Sequence, residues 1–219
     1  MHTLTEENYL KAIYRIFEST GDTVSTTAIA EDLHINAASV TDMFKKLGQQ
    51  RLVVYEKSKG VKPTDKGKKI ALQIIRKHRL WETFMVEKLK FAWDEVHEVA
   101  EQLEHIHSEV LIERLDQFLN YPKFDPHGDP IPDKNGRIPA LKSILLSEAK
   151  PGASYKITGV GKTSDTFLKY LKKVGLVLGG AMLVKEVEEF DGSMKIELLD
   201  TKSDLMLSRE VTSNLFVEE

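Results

Sequence analysis

Cysteine is absent from the 219 residues. Disulfide scaffolds, zinc fingers, iron–sulfur clusters and thiol catalysis are therefore excluded. Long apolar runs are missing too. The nearest candidate, Leu176 to Val184, is short and broken by glycines, well below the roughly 18–20 residues of a membrane span. The first residues, Met1 to Glu7, show neither a basic start nor an apolar stretch, so no signal peptide is expected and the cytoplasm is the expected compartment. Proline is sparse outside one segment: five of the seven lie between Tyr121 and Pro139, which reads as a linker or extended arm. What is present is 41% hydrophobic and 30% charged residues. That is enough apolar surface for one large domain or two to three small ones, and it excludes global disorder.

The formal net charge of −3 conceals a local asymmetry. From Lys45 to Arg79 there are twelve lysines and arginines against Glu56 and Asp65 alone. From Glu82 to Asp116 the sign reverses, with ten acids against Lys88, Lys90 and Arg114. A basic first part can hold a polyanion such as DNA. An acidic second part rich in histidine can hold a cation. Taken singly, either run could be a solvated surface.

Apolar periodicity places a helix from Thr5 through Tyr9, Leu10, Ile13, Ile16 and Phe17, broken at Gly21-Asp22. A short helix follows over Thr26 to Leu33, then a turn at His34-Ile35-Asn36, with Asn36 suited to cap the next helix. That helix buries Val40, Met43, Phe44 and Leu47 and leaves Ala38, Ser39, Asp42, Lys45, Lys46 and Gln49 opposite. The β-rich run Leu52 to Lys57, the turn Ser58-Lys59-Gly60 and Val61-Lys62-Pro63 form a basic hairpin. Together these describe a winged helix-turn-helix; the plain alternative is a helical subdomain with a β-ribbon. The residues offered to DNA are Asn36, Ala38, Ser39, Asp42, Lys45 and Lys46, with Lys57, Lys59 and Lys62 from the wing. Ser39 and Asp42 would face bases, while the lysines mostly neutralise phosphates. Asp42 either accepts from a cytosine amino group or holds a neighbouring lysine.

Thr64 is expected to cap a long helix from Asp65 to about Leu89, and Asp94 another from Glu95 to about Leu119, whose apolar stripe suits a helical dimer interface as well as a core. Beyond the proline-rich segment, β-rich stretches at 155–160, 181–188 and 194–199, an Asp191-Gly192 turn and one helix from Ser164 to Val174 fit a small β-barrel. The fold class is mainly α with a β C-terminal domain.

Four of the seven histidines, His78, His97, His105 and His107, fall within thirty residues among glutamates. With about 100° per residue, His97, Glu101, Glu104 and His105 share one face of a helix, and His78 and Glu82 share a face one turn apart on the preceding helix. Two such helices could supply four to six N and O donors to one or more ions. His107 points elsewhere. Solvated Glu–His pairs are the plain alternative for each pair taken alone.

The segments Tyr9 to Tyr14, Arg76-Lys77-His78-Arg79-Leu80 with Glu82, Val96-His97-Glu98 through Glu104-His105, and Pro122 to Pro132 resemble the diphtheria toxin repressor and manganese transport regulator family of metal-dependent bacterial repressors. The resemblance spans nearly the whole chain and is nearest in layout to three-domain members with an SH3-like C-terminal domain, especially streptococcal-type manganese regulators. It implies a DNA-binding domain over 1–73, a helical metal-binding and dimerisation domain over 74–140, and an SH3-like, FeoA-like domain over 151–219. It implies two ions per subunit. The primary site would use Asn8, Glu101, Glu104, His105 and Asp125; the ancillary site His78, Glu82, His97 and Asp165. Where manganese-selective members carry Asp, this chain has Asn8, a neutral and weaker ligand, so the site leans on Asp125, or Glu7 substitutes. Short two-domain members carry Glu at the position of Lys11; a lysine cannot ligate, so their binuclear arrangement is not expected here. With only O donors and imidazole in the primary site, Mn(II) is favoured and Fe(II) is close behind. The implied protein is no enzyme but a homodimeric repressor on near-palindromic duplex DNA, with no membrane partner. The alternatives are a winged-helix regulator that senses an organic effector without metal, a metal-dependent hydrolase, which would not explain the basic hairpin, and an accessory protein of metal uptake.

Overall fold

Capping residues set the boundaries of the first helices. In the computed structural model, which describes residues 2–140 and 142–219 and every side chain among them except that of Asp165, Thr3 opens helix α1 (Leu4–Thr20). The Thr3 hydroxyl accepts from Glu6 N at 3.2 Å, and the Glu6 carboxylate accepts from Thr3 N at 2.8 Å. This reciprocal pair satisfies two donors that a helix start leaves orphaned. Ser25 caps α2 (Thr26–Asp32), and Asn36 caps α3 (Ala37–Gln49) by accepting from Ser39 N at 2.9 Å. Helix α3 buries Val40, Phe44 and Leu47 and exposes Ala38, Ser39, Asp42, Lys45 and Lys46.

The wing is the antiparallel pair β1 (Val53–Glu56) and β2 (Gly60–Pro63), with Glu56 opposite Gly60 at the tip. Helix α4 (Asp65–Glu87) follows, started by Gly67 N donating to Thr64 Oγ1 at 3.1 Å. Gly67 is required by packing, since a Cβ there would lie 2.0 Å from the Leu52 carbonyl oxygen. Leu10, Ile13, Ile29, Val40, Phe44, Leu47 and Leu52 form the core beneath the wing. Burying a side chain such as Phe44 or Leu47 contributes about 1.5–3 kcal/mol.

The single helix expected over 95–119 is two helices, α5 (His97–Leu103) and α6 (Glu109–Phe118). The break falls where the Glu104 side chain turns into full burial, and α6 restarts at Ser108, whose hydroxyl accepts from Leu111 N at 3.3 Å. Asp94, expected as a cap, instead lies 3.6 Å from Lys172 Nζ.

The remaining strands are β3 (Ile144–Leu145), β4 (Ser154–Val160), β5 (Ala181–Val187), β6 (Met194–Leu198), β7 (Ser203–Leu207) and β8 (Leu215–Glu218). They form one antiparallel sheet in the order β3-β8-β4-β5-β6-β7. Helix α7 (Asp165–Val174), stopped by Gly175 at φ 82°, packs Leu168 and Leu171 against Ile157, Met182, Val184 and Ile196 of the sheet. The short helix α8 (Arg209–Thr212) precedes β8. Asp191-Gly192 lies in the β5–β6 turn, where Asp191 Oδ1 accepts from Ser193 N at 2.8 Å.

The chain forms two compact units, each assembled from separated stretches of sequence. The first takes the chain through His78, then Glu101–Ile112 and Pro132–Ile138; the second takes Arg79–Ala100, Glu113–Ile131 and the chain from Pro139 onward. No helix among the described residues is long and apolar enough to cross a membrane.

Glu6 gives the first unit a pH-dependent tie. Burial opposes its ionisation, but hydrogen bonds from Thr3 N, Gln50 and Lys46, with the Lys46 charge, bring its pKa from 4.5 down to about 2. A lowered folded-state pKa stabilises fully above the unfolded value and is lost as pH falls through the folded one. Urea unfolding of Glu6→Gln and wild type should therefore differ most above pH 5, with the gap closing towards pH 2. A gap independent of pH would assign the loss to packing alone.

Candidate metal centre

The first unit gathers acids and imidazoles around the end of α5. The Glu104 carboxylate is wholly buried and lies 2.6 Å, Oε2 to Nδ1, from His78. Lys11 Nζ sits between Glu101 Oε1, at 2.6 Å, and the two oxygens of Glu104, at 2.7 and 2.9 Å. His105 Nδ1 is 2.7 Å from Glu7 Oε2, and its Nε2 is 3.6 Å from Glu104 Oε1. His107, expected to point away, is half-exposed and stands 3.7 Å from Glu7 Oε1. Asn8 turns its amide inward: Oδ1 is buried with no hydrogen-bond partner among the described residues. The positions follow from helix geometry, because Glu7 and Lys11 are one turn apart on α1 and Glu101 and Glu104 bracket the end of α5.

The second unit builds a smaller and drier group. Glu82, Asp125 and His127 are all buried, and each offers a ligand atom within 4.8 Å of the others. Ligands on opposite sides of one divalent ion are twice a bond length apart, about 4.2–4.8 Å, so this spacing suits a single ion. Glu82 comes from α4. Asp125 and His127 come from the proline-rich segment, which is no loose arm. Asp125 Oδ1 accepts from His127 N at 2.8 Å and Asp129 N at 3.0 Å, and His127 O accepts from Val160 N of β4 at 2.9 Å. Gly128, at φ 86°, lets the loop lie on β4, where a Cβ would meet Thr158 O at 2.0 Å. Arg79 lies 3.6 Å from Asp125 and 3.4 Å from Asp129.

Burial, together with the charges of Asp129 and Glu82, raises the Asp125 carboxyl to about 7, although Arg79 and His127 pull the other way. His127 is also desolvated, which would lower it, yet Glu82, Asp125 and the Trp93 carbonyl raise it to about 9. The buried carboxylates thus favour a positive charge on His127.

The expected ligand residues have these neighbours. Asp125, expected beside Glu101, Glu104 and His105, stands with Glu82 and His127. His78, expected in the ancillary set, lies 2.6 Å from Glu104. His97 remains with Glu82, at 3.4 Å, and is half-exposed. The side chain of Asp165 lies outside the described residues; its backbone begins α7. Sequence reading did not assign His127. The signal available was Asp125-Pro126-His127, two ligand types two residues apart in a loop held by proline and glycine.

The residues expected to contact DNA are exposed throughout: Asn36, Ala38, Ser39, Asp42, Lys45 and Lys46 on the α3 side, Lys57, Lys59 and Lys62 on the wing. Asp42 holds Lys45 at 2.9 Å, and Lys59 holds Glu56 at 2.7 Å. Asn36 Oδ1 is committed to the α3 cap.

A winged helix-turn-helix, clustered buried acids and imidazoles and an SH3-like sheet define a class of regulator that couples cation binding to DNA. Comparisons with known proteins agree. Residues 1–61 match the iron dependent repressor N-terminal DNA binding domain, residues 64–133 the iron dependent repressor metal binding and dimerisation domain, and residues 144–219 the FeoA domain. The MntR regulator of Oceanobacillus iheyensis is 33% identical over 145 residues, covering 66% of this chain and 91% of MntR. The iron-dependent repressor IdeR of Mycobacterium tuberculosis is 35% identical over 128 residues, 58% of this chain, and the alignment spans only 55% of IdeR. Among solved structures, a manganese-dependent transcriptional repressor in complex with manganese matches with a TM-score of 0.86 at 33% identity, over 97% of this chain and 98% of that one. The manganese regulator SloR matches at 0.76 and 35%, over 98% of each chain. The chain belongs to the iron-dependent repressor family, whose members are metal-dependent DNA-binding transcriptional repressors and not enzymes.

A metal ligand must be deprotonated, so an ion entering the Glu82–Asp125–His127 group must expel protons. With His127 at about 9 and Asp125 at about 7, Mn(II) affinity should rise with pH from about 6 to 9. Calorimetry in buffers of different protonation enthalpy should show about one proton released per ion at pH 8 and more at pH 6.5. Glu82→Gln should abolish that release. Binding without proton release would exclude His127 as a ligand.

Proposed function

We propose that this chain represses transcription as a homodimer on near-palindromic duplex DNA, activated by a divalent ion, Mn(II) ahead of Fe(II), with two ions per subunit. The observation that carries this reading is the buried Glu82–Asp125–His127 group, two carboxylates and an imidazole converging in a chain that also presents an exposed basic recognition helix. We assign DNA contact to residues 1–73, metal binding and dimerisation to 74–140 and the SH3-like role to 151–219, working in the cytoplasm. Glu82, Asp125 and His127 would hold one ion. Glu101, Glu104 and His105, with Asn8 or Glu7, would hold the other. The donors are oxygens and imidazole nitrogens, a hard set that suits Mn(II) and Fe(II).

A bound divalent ion would supply the positive charge that these buried carboxylates lack. The chain's own residues carry the effect to DNA. Glu7 faces His105, while its neighbour Glu6 accepts from Gln50 Nε2 at 2.6 Å and lies 3.2 Å from Lys46 Nζ at the end of α3. Helix α1 therefore touches the cluster with one residue and the recognition helix with the next. The apolar face of α1, Leu10 and Ile13, shares a core with Phe44 and Leu47 of α3, so α1 cannot shift without moving α3. An ion at 100 times its dissociation constant favours the competent form by about 2.7 kcal/mol, close to a hundredfold in DNA affinity at full coupling.

Anaerobic gel-shift titration with Mn(II), Fe(II) and Zn(II) tests the reading. Glu104→Gln and Glu82→Gln should each reduce metal-dependent operator binding at least tenfold while leaving the dimer folded. DNA binding that ignores metal in wild type would overturn it. Separately, Lys59→Ala should weaken binding to all sequences alike and lower the salt slope by about 1. A loss of sequence preference would instead make the wing a reader of bases.

A further inference from the structure

Lys11 occupies a cation's position. Its ammonium group makes three contacts of 2.6, 2.7 and 2.9 Å to Glu101 and Glu104, as many as an ammonium has N–H donors. Glu104 is completely buried and the Lys11 side chain is only 19% exposed, so this is no surface ion pair. Lys11 reaches these acids from α1, ninety positions earlier in the chain, and a buried carboxylate left without a counter-charge is strongly destabilising. The cation at this cluster is therefore part of the polypeptide.

We propose that Lys11 is a tethered counter-cation, and that a divalent ion enters the Glu101–Glu104 cluster only by exchange with its ammonium group. The proposal rests on the reading of that cluster as a metal site. Lys11 and the ion compete for the same carboxylate oxygens, so neither can be fully bound while the other is. With the ammonium in place, two carboxylates and one cation sum to one negative charge. After exchange, two carboxylates and one divalent ion sum to zero. The lysine thus keeps the metal-free cluster folded and raises the ion concentration needed to fill it. It also caps occupancy between these two acids at a single cation.

Equilibrium dialysis of the full chain against Mn(II) tests the exchange, with wild type, Lys11→Met, Lys11→Arg and Glu104→Gln compared and folding followed by circular dichroism. Lys11→Met should bind Mn(II) about 10- to 100-fold more tightly at this site, the range over which residues behind a ligand set metal affinity. Lys11→Arg, which keeps a cation, should stay near wild type, and Glu104→Gln should weaken binding. Unchanged affinity in Lys11→Met alongside weakened binding in Glu104→Gln overturns the exchange and leaves the metal reading intact. If neither substitution alters Mn(II) binding, no ion enters this cluster and both ideas fail. The wild-type chain gives a test free of any substitution: acetylation of Lys11, followed by mass spectrometry, should increase when Mn(II) is added. Reactivity that is unchanged or reduced overturns the proposal.

Discussion

A carboxylate withdrawn from water is destabilising by several kcal/mol unless an opposite charge or a set of donors meets it, and this chain withdraws Glu6, Glu7, Glu82, Glu104 and Asp125. Each is answered by a particular partner. Thr3 N, Gln50 and Lys46 meet Glu6, and His105 meets Glu7. Lys11 and His78 meet Glu104; His127 and Arg79 meet the pair in the second unit. Both units are organised around this need. Helix α5 ends where Glu104 must turn inward, and the 122–132 segment is pinned to β4 where Asp125 and His127 must converge on Glu82.

Helix α1 is the part of the first unit where these demands meet. Glu6 and Glu7 are adjacent, so they point about 100° apart and serve different neighbours. Lys11, one turn beyond Glu7, shares its side of the helix and reaches Glu101 and Glu104. Leu10 and Ile13 lie on the Glu6 side of the helix and, with Tyr9, are core. One helix of 17 residues thus carries an acid tied to the recognition helix, an acid tied to the histidine end of the cluster, and the cluster's resident cation. Packed cores are close to incompressible, so a change of charge on one face reaches the others as a displacement and is not absorbed locally.

Much of this was legible in the chain. The period of apolar residues marked α1 to α3, the expected caps at Asn36 and Thr64 accept from the first turns of α3 and α4, and the β-rich stretches after residue 150 marked the sheet. Two things were not legible. The apolar stripe from Val96 to Val110 continues through the break at Glu104, because periodicity records which residues are apolar and is blind to a polar side chain pulled inward by distant partners. Val110, inside the stretch expected as one helix over 95–119, is exposed. The grouping of ligands was hidden for a related reason. Spacing on a helix shows which side chains share a face, and it cannot show which neighbouring element that face meets. His78 and Glu82 share a face, yet His78 meets Glu104, while Glu82 meets His97 and His127. Lys11 was legible as a non-ligand and illegible as a counter-ion, since its partners lie some ninety residues away.

The two clusters solve the same electrostatic problem by different means, and the difference bears on which ion each can take. In the second unit, Arg79 and Asp129 offset one another beside the site, which leaves two carboxylates and one imidazole. Once the imidazole is neutral the set carries two negative charges, and a divalent ion brings the buried total to zero. A monovalent ion would leave a net negative charge in a dry interior, and a trivalent ion a net positive one; both are penalised by the low dielectric. The absence of cysteine removes the thiolate that would steer the site towards softer metals. In the first unit the resident cation is Lys11, which would leave by moving its side chain. In the second, Glu82 and Asp125 raise the His127 pKa to about 9, and its proton would leave to solvent when an ion enters. Under the proposed exchange, ion uptake would be coupled to a side-chain rearrangement on α1 in one cluster and to proton release in the other, so metal supply and acidity would act through separate structural elements.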